Sequence, residues 1–478
     1  MNENLSRQRR LLFYYTVYFF PYICNPKVSK ARVAKLVDAL SSGGSVRKNV
    51  LVRIQSRAQS PAFGGVFYFY SNHNPSLPIL AAINLFKKMD SLYSKRGVSA
   101  QKEEVHAATK NLDKGLFVKA FCKIYPDVLV GDDNWVNVMH ADGAGTKSIL
   151  AYLYWRETGD ISVWKGIAQD AIVMNLDDLL CVGIYDQLIF SSTIDRNKTL
   201  IPADVLSEVI NGSQQFFDEM KSHGVNITYM GGETADVGDV VRTIAVNGTM
   251  TARWPKEKLI TNEKIKPGNV IVGLASFGKA DYEADYNSGL ASNGLTSARH
   301  DVLEKNYATR FPETFEPTLS DEVVYIGPHK MADAIQVENN ETNIGKLLLS
   351  PTRTFAPVLK VLLQEHFSAI SGLIHCSGGG QTKCLKYVPE NVKIVKDKLF
   401  EPPVIFNIIQ KASGADAKEM YQVFNMGTRM EIYTSEKDAD SIVSISKSFG
   451  VDARVIGRVE ASASKSLDII TPNETISF

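Results

Sequence analysis

From Met89 to the end of the chain, apolar runs of strand length alternate with longer amphipathic segments. This alternation is typical of an α/β protein, and the chain has no internal repeat or low-complexity tract. Each of two expected helices is followed by a glycine that can end it. The expected strands are 136–140, 188–192, 226–230, 240–251 and 269–274, and the expected helices are 164–181 and 202–223.

The polar stretch TNEKIKPG at 261–268 lies between two expected strands and predicts an interdomain linker. We therefore expect an α/β (α+β) protein in which two domains of mixed sheets are packed with helices. The amino-terminal domain is expected at 89–262 and the carboxyl-terminal domain at 263–478.

Residues 1–88 differ in composition from the rest of the chain. They contain 13 of the 53 basic residues but only two acidic residues, Glu3 and Asp38, so residues 89–478 have a net charge of −10. Codons that could encode 36–40 and 51–54 match the D-arm and the T-arm of a leucine transfer RNA gene, in that order. We expect 1–88 to be a spurious upstream translation, disordered or poorly structured, with the true start at Met89. A basic arm that binds nucleic acid or a membrane is the alternative.

The remaining composition argues for a cytoplasmic protein without a nucleic-acid or membrane partner. The acidic balance of 89–478 disfavours a nucleic-acid-binding surface. The apolar stretch at 11–24 resembles part of a signal peptide, but it is too short to span a bilayer, contains Pro21 and has no small-residue cleavage site close behind it. The five cysteines are widely spaced and form no Cys-x-x-Cys pair, which favours reduced thiols.

The sequence HADGAGTK at 140–147 follows an apolar strand. Its glycines allow the backbone to approach a ligand closely, Lys147 supplies a positive charge for phosphate, and Asp142 can hold Mg²⁺. The spacing differs from that of a P-loop, so ordinary P-loop chemistry is not implied. The pattern predicts a strand–loop–helix phosphate site, and a tight turn with an exposed lysine is the alternative.

Two carboxylates, Asp170 and Asp178, lie two turns apart on one face of the expected helix at 164–181, about 12 Å along its axis. Acidic groups on an otherwise apolar helix are costly to bury unless they are paired or bind metal. They could serve neighbouring ions or a shared water shell, or they could simply face solvent. Asp177 points elsewhere and is expected to be solvated.

Two further stretches contain glycines. The sequence MGGETAD at 230–236 predicts a loop in which Glu233 presents oxygen ligands to a Mg²⁺-nucleotide. The sequence HCSGGG at 375–380, with an expected helix from Gln381, predicts an anion site made by backbone N–H groups at a helix amino terminus. The alternative is a flexible helix entry with a hydrogen-bonded His375.

Four such stretches in this order resemble the phosphoribosylformylglycinamidine cyclo-ligase family, also called aminoimidazole ribonucleotide synthetases. Further matching stretches are YSKRGV at 93–98, ASNGLT at 291–296, SPTRT at 350–354 and EMYQVFNMG at 419–427. The last is the most specific. The resemblance covers essentially all of residues 89–478 and none of 1–88.

The resemblance implies ATP-dependent cyclisation of formylglycinamidine ribonucleotide to aminoimidazole ribonucleotide in de novo purine biosynthesis, through an iminophosphate intermediate. It implies a homodimer built by the amino-terminal sheets, with ATP bound by the amino-terminal domain and substrate or phosphate by the carboxyl-terminal one. The metal ligands it implies for Mg²⁺ are Asp142, Asp170, Asp178 and Glu233. The ATP and phosphate ligands it implies are Gly143, Gly145, Thr146, Lys147, Asn293, Ser377, Gly378, Gly379 and Gly380. The catalytic residues it implies are His375, for proton transfer, Lys147 and Asp142.

The chain departs from the family's pattern at several points. Ala291 stands where a histidine is common, the loop at 279–290 is longer than usual, and Thr428 and Arg429 replace a small or apolar pair. The segment at 121–126 replaces a glycine-rich stretch. A catalytically inactive nucleotide-binding homologue and an enzyme similar to thiamine-monophosphate kinase are the alternative functions.

Overall fold

The computed structural model describes residues 92–98, 107–338 and 340–478, together with the backbone of two short strands. Contacts divide the chain into two compact units, Met1–Lys88 and Met89–Phe478. In the first unit, β1 (Leu51–Arg53) pairs antiparallel with β2 (Val66–Tyr68). Apart from these strands, the expectation of poor structure in 1–88 lies outside the described residues.

The amino-terminal half of the second unit is a five-stranded sheet covered on one face by helices. The strand order is β3-β4-β7-β5-β6, and all neighbours are antiparallel except β5 and β6. The strands are β3 (Ile124–Pro126), β4 (Trp135–Gly143), β5 (Leu188–Arg196), β6 (Ile227–Asp236) and β7 (Ile244–Pro255). The helices are α1 (Leu92–Lys95), α2 (Lys147–Thr158), α3 (Val163–Leu180) and α4 (Ala203–Ser222).

The carboxyl-terminal half contains a seven-stranded sheet in the order β11-β13-β8-β14-β12-β15-β16, in which only β12 and β15 are parallel neighbours. A separate hairpin is formed by β9 and β10. The strands are β8 (Val270–Ala275), β9 (Ala334–Val337), β10 (Asn340–Asn343), β11 (Ile370–His375), β12 (Val392–Lys396), β13 (Thr428–Thr434), β14 (Ala453–Ala461), β15 (Ser466–Ile470) and β16 (Thr475–Ser477).

In this half, α12 packs against β8 and β14 of the sheet, and α8 packs against both α12 and the amino-terminal helix α3. They are α5 (Leu295–Val302), α6 (Asn306–Arg310), α7 (Ile344–Leu349), α8 (Ala356–Glu365), α9 (Cys384–Tyr387), α10 (Val404–Ser413), α11 (Ala417–Val423) and α12 (Glu436–Ser448). Short 3-10 turns occur at Lys256–Lys258, Pro312–Thr314, Phe367–Ala369 and Gly380–Lys383.

Helix α3 decides how the site is built, because 14 of its 18 residues are buried. It lies between the amino-terminal sheet and the carboxyl-terminal half, so it has no polar face toward solvent. Its carboxylates therefore need partners within the protein.

The expected mixed α/β fold with two sheets is confirmed, and both expected helices are present. They end at Leu180 and Ser222, and the expected glycines with left-handed backbones follow shortly after, Gly183 at φ +89° and Gly224 at φ +73°. The expected strand at 240–251 begins only at Ile244, after a turn. The stretch at 261–268 has neither helix nor strand, but contacts keep 89–478 in one unit, so a domain division at 262 stays a prediction.

The expectation of a loop at 230–236 is wrong. These residues belong to β6, where Gly231 has φ +80° and the pairing with β5 shifts register between Phe190 and Ser192. A glycine in the left-handed region accommodates such a bulge without ending the strand.

Among the described residues, the four cysteines are buried and form no disulfide; they are Cys122, Cys181, Cys376 and Cys384. No helix in this part of the chain is both long and apolar enough to cross a membrane.

Candidate active site

The first glycine loop has the predicted strand–loop–helix form. Strand β4 ends at Gly143 and α2 begins at Lys147. A side chain at Gly143 would lie 2.2 Å from Asn247 Oδ1, so only glycine fits, and Gly145 has φ +57°. The side chain of Thr146 makes no capping hydrogen bond to α2. The loop therefore brings an uncapped helix amino terminus to the end of the strand.

Three of the predicted segments meet at one place. The hydroxyl of Thr146 in the first loop hydrogen-bonds that of Thr296 at 2.7 Å. A Cβ on Gly378 in the stretch 377–380 would lie 3.6 Å from Asn293 Nδ2. The segment from Asn293 to Thr296, at the start of α5, thus contacts the first glycine loop and lies beside the second. These loops come from different halves of the unit.

The second glycine loop differs from its prediction. Gly379 and Gly380 have φ +101° and +50°, as a tight glycine turn requires. A 3-10 turn (Gly380–Lys383) and the four-residue α9 follow instead of a long helix. The expected helix from Gln381 is thus corrected to a glycine turn followed by short helical turns, and an anion site at 377–380 stays a prediction without the dipole of a long helix.

Lys147 does not face a phosphate site, and it is not an exposed lysine. Its side chain is fully buried, and Nζ donates to Asp170 Oδ1 at 2.9 Å and to the Ser350 carbonyl at 2.6 Å. Burial lowers the pKa of Lys147, and the charge of Asp170 opposes that effect. The same Asp170 oxygen accepts from Thr352 N and Oγ1 at 2.7 and 2.5 Å. Lys147 as a phosphate ligand and Asp170 as a metal ligand are therefore corrected to an internal ion pair.

Asp177 is also buried, which corrects the expectation that it is solvated. Its Oδ2 pairs with Arg429 Nη2 at 3.2 Å, and its Oδ1 accepts from Thr354 Oγ1 at 2.6 Å. Arg429 lies on β13 and is 1% exposed. This ion pair links α3 to the carboxyl-terminal sheet.

Asp178 lies between two histidines. Its Oδ1 contacts His375 Nδ1 at 2.6 Å and its Oδ2 contacts His140 Nε2 at 3.2 Å. Burial alone would raise the pKa of Asp178, but the hydrogen bonds from His140 and His375 hold it well below its usual range. Both oxygens of Asp178 thus have protein partners in this structure, which disfavours its expected role as a metal ligand.

His375 is not placed for proton transfer to a substrate. Its side chain is fully buried, and its second ring nitrogen, Nε2, accepts from Arg429 Nη1 at 2.8 Å. With Nδ1 on Asp178, both nitrogens are occupied. The alternative of a hydrogen-bonded structural histidine describes the observed geometry, and the catalytic assignment is corrected.

The surroundings of His140 favour its charged form. Nδ1 lies 3.0 Å from Asn175 Oδ1, while Asn175 Nδ2 donates to backbone carbonyls, including that of Ala171 at 2.9 Å. The amide oxygen therefore faces His140, so both ring nitrogens of His140 face acceptors. Burial alone would lower the pKa of His140, but the hydrogen bond and charge of Asp178 outweigh it and raise the pKa.

The two remaining predicted metal ligands, Asp142 and Glu233, are exposed but far apart. Asp142 aligns across the sheet with Gly232, whereas Glu233 aligns with Gly143. Because neighbouring residues of a strand point to opposite faces, the two carboxylates lie on opposite faces, about 14 Å apart across three strand spacings. No group of three or more His, Cys, Asp or Glu side chains in the described ranges could hold a metal ion. The four expected ligands do not fit one metal site.

The long loop at 279–290 packs against the SPTRT stretch. Arg353 Nε donates to Glu283 Oε1 at 3.0 Å, and Tyr282 Oη donates to the Thr354 carbonyl at 2.7 Å. The loop lines a cavity of about 610 Å³ between the two halves of the unit. Ala291, just after it, has φ +62°, a strained conformation for a residue other than glycine.

The prediction missed the roles of His140, Asn175, Thr352 and Arg429. His140 and Thr352 lie inside motifs that were identified, and Arg429 was identified only as a departure from the family's pattern. Their polar character in apolar surroundings was the available signal. Which groups they pair with could not be read from their spacing.

The sequence matches two domains of AIR synthase related proteins, the N-terminal domain at residues 126–254 and the C-terminal domain at 266–470. Together these domains cover more than half of the chain.

Individual relatives agree with this match. Phosphoribosylformylglycinamidine cyclo-ligase of Methanocaldococcus jannaschii is 28% identical over 67% of this chain and 77% of its own length. The enzyme of that name from Methanococcoides burtonii is 26% identical over 79% of this chain and 97% of its own length.

A solved structure, T. maritima PurL complexed with AMPPCP, has a TM-score of 0.43 and 13% identity, and it covers 82% of this chain. The chain spans 49% of that PurL chain. The names of the sequence relatives support the expected assignment to the ligases. The chain belongs to the family of AIR synthase related proteins.

Proposed function

We propose that the chain catalyses the ATP-dependent cyclisation of formylglycinamidine ribonucleotide to aminoimidazole ribonucleotide, with ADP and phosphate as co-products. The family match and the relatives named as cyclo-ligases support this activity. The observation that carries the proposal is the meeting of two glycine loops, from different halves of the unit, at the segment from Asn293 to Thr296. Such a site can bind phosphate groups of two ligands side by side.

The reaction needs placement and charge neutralisation more than a protein nucleophile. An amide oxygen is a poor leaving group, so transfer of the γ-phosphoryl group to it gives an iminophosphate. The amidine nitrogen then attacks the activated carbon, and phosphate leaves. Backbone N–H groups in glycine loops stabilise the negative charge that develops during such steps.

We assign the ATP phosphates to the first loop, with Gly143, Gly145 and Thr146. We assign binding of the substrate's phosphate group, or of the phosphoryl group that is transferred, to Asn293 and to the stretch 377–380. The backbone at Gly145 is open enough for close approach of a phosphate group, because a Cβ there would meet no atom within 4 Å.

Among the expected metal ligands, Asp142 alone lies beside the proposed ATP loop and on the face of the sheet that packs against α3. We therefore propose that the Mg²⁺ ion accompanying ATP is held through Asp142. The buried ion pair between Lys147 and Asp170 stabilises this loop, because it fixes the start of α2.

We also propose that the enzyme is a cytoplasmic homodimer in which the amino-terminal sheets face one another. The sheet face opposite α3 carries three exposed apolar side chains, Met139 and Met230 at 66% and Ile189 at 42% exposure. Apolar side chains on an open sheet face favour association.

The test is turnover of formylglycinamidine ribonucleotide by the full chain with Mg²⁺-ATP. We expect equal amounts of ADP and of aminoimidazole ribonucleotide, which is detectable as an aromatic amine. Turnover of thiamine monophosphate, but not of formylglycinamidine ribonucleotide, would instead indicate an enzyme similar to thiamine-monophosphate kinase. ATP binding without turnover of either substrate would indicate an inactive homologue.

A further inference from the structure

The strands that lead into the two glycine loops are joined through a single carboxylate. His140 precedes the first loop on β4, and His375 ends β11 just before the second loop. Asp178 of α3 contacts one histidine with each of its oxygens, at 3.2 and 2.6 Å. Asp178 therefore connects the strand ends that precede the two loops.

Arg429 determines which ring nitrogen of His375 carries the proton. A guanidinium group has only donors, so His375 Nε2, 2.8 Å from Arg429 Nη1, must accept. The ring proton is then on Nδ1, where it is donated to Asp178 at 2.6 Å. Without the guanidinium, the ring could carry its proton on either nitrogen.

Arg429 is itself held in place from several directions. Asp177 Oδ2 accepts from its Nη2 at 3.2 Å, and the Phe355 ring lies against the guanidinium at 5.2 Å from its centroid. Both Asp177 and Arg429 are almost fully buried. The side chain thus cannot leave its place without exposing an unpaired charge to the interior.

We propose that Arg429 is a positioning residue which fixes the Nδ1–H form of His375. With the ring in this form, Asp178 keeps a constant distance between the ends of β4 and β11, the strands that precede the two glycine loops. Arg429 touches neither loop directly. Its contribution to the proposed cyclisation is exerted through His375 and Asp178, and only that part of the inference rests on the proposed function.

The first test needs no substrate. Nitrogen-15 NMR of the full chain, with His375 assigned by comparison with His375→Gln, reports which ring nitrogen carries the proton. We expect a neutral ring with a protonated Nδ1 and an unprotonated Nε2. A proton on Nε2, or on both nitrogens, would overturn the inference.

The second test compares variants. Arg429→Met is expected to turn the two distinct His375 signals into averaged ones, while Arg429→Lys, which keeps a donor and a charge, retains them. Arg458→Met removes an exposed arginine of the same sheet and is the matched control. Unchanged His375 signals in Arg429→Met would contradict the proposal. If that variant does not fold, the spectrum of the unmodified chain decides alone.

The third test measures activity. A distant mutation that misplaces the reacting groups by about 1 Å can lower turnover about 100-fold. We expect Arg429→Met to lower kcat about 10- to 100-fold with little change in KM for ATP, and Arg429→Lys to restore most of it. Normal kcat in Arg429→Met would contradict the positioning role. An inactive unmodified chain with the expected NMR signals would instead refute only the proposed function.

Discussion

At the scale of single residues, Asp142 has the most direct proposed role in catalysis. Its side chain is exposed, so replacing the carboxylate with an amide costs the fold little. We expect Asp142→Asn to lower turnover about 100-fold or more, because a ligand of the metal–phosphate complex is lost, with an unchanged melting temperature. The control is Asp133→Asn, an exposed carboxylate in the turn before β4. Near-normal turnover in Asp142→Asn would remove this residue from the site.

A second residue-scale prediction concerns His300, which is buried in α5. Its Nδ1 accepts from Tyr325 N at 3.2 Å. Burial, reinforced by the charges of Arg299, Arg96 and Lys305, lowers the pKa of His300 to about 2. In the unfolded chain the pKa is about 6.5. The unfolded state therefore takes up the proton first as the pH falls.

The direction of the pH dependence of stability follows from this order of protonation. The contribution of His300 to stability is complete above pH 6.5 and decreases as the pH falls below it, by at most about 1.4 kcal/mol per pH unit. The variant His300→Asn keeps an acceptor but does not titrate. Its free energy of unfolding, measured with denaturant from about pH 4.5 to 7, should depend less steeply on pH. Parallel curves for the two proteins would show that folding does not shift the pKa of His300.

At the scale of elements, the second glycine loop provides a matched pair of substitutions. A Cβ on Gly380 would lie 2.4 Å from the Phe424 carbonyl oxygen, at a position with φ +50°. We expect Gly380→Ala to lower the free energy of unfolding by about 1–3 kcal/mol and to displace the loop. A Cβ on Gly378 meets only Asn293 Nδ2, at 3.6 Å.

Gly378→Ala should therefore change stability by less than about 0.5 kcal/mol. If phosphate lies against this loop as proposed, the added methyl group raises KM for the substrate. Denaturant unfolding and steady-state kinetics on both variants separate the two effects. Equal stability of the two variants would contradict the geometry of Gly380.

At the scale of the whole molecule, the outer face of the amino-terminal sheet is predicted to form the dimer. Met139→Glu places a charge in the middle of this apolar face, which should convert the dimer to a monomer at micromolar concentration. Sedimentation or light scattering measures the mass. Ile470→Glu, at an exposed site of the other sheet, should leave the dimer intact. A dimer that persists in Met139→Glu would place the interface elsewhere.

The start of translation is also a prediction about the whole molecule. We expect protein isolated from its source cells to begin at Met89, or at the next residue if methionine is removed. Intact mass and amino-terminal peptides check this. Detection of peptides from residues 1–88 would contradict it, as would genomic codons for 31–59 that cannot fold as a transfer RNA.

Much of the fold followed from local patterns. The strand–loop–helix at 140–147 and the glycine that ends α3 could be predicted, because periodicity and glycine conformation act over a few residues. The bulge at Gly231 could not, because the same glycines suit a loop or a strand, and only pairing with β5 decides between them.

The sequence by itself indicated the family, the first glycine loop and two helices of the amino-terminal half, because each of these is carried by neighbouring residues. The tertiary structure alone decided the partners of the charged groups. Asp178 binds a histidine 197 positions away, and Asp177 an arginine 252 positions away. A buried carboxylate must find a partner, but its identity depends on which side chains the packed halves bring within about 3 Å. For that reason the expected metal ligands Asp170 and Asp178 proved to be internal partners that connect the halves of the unit.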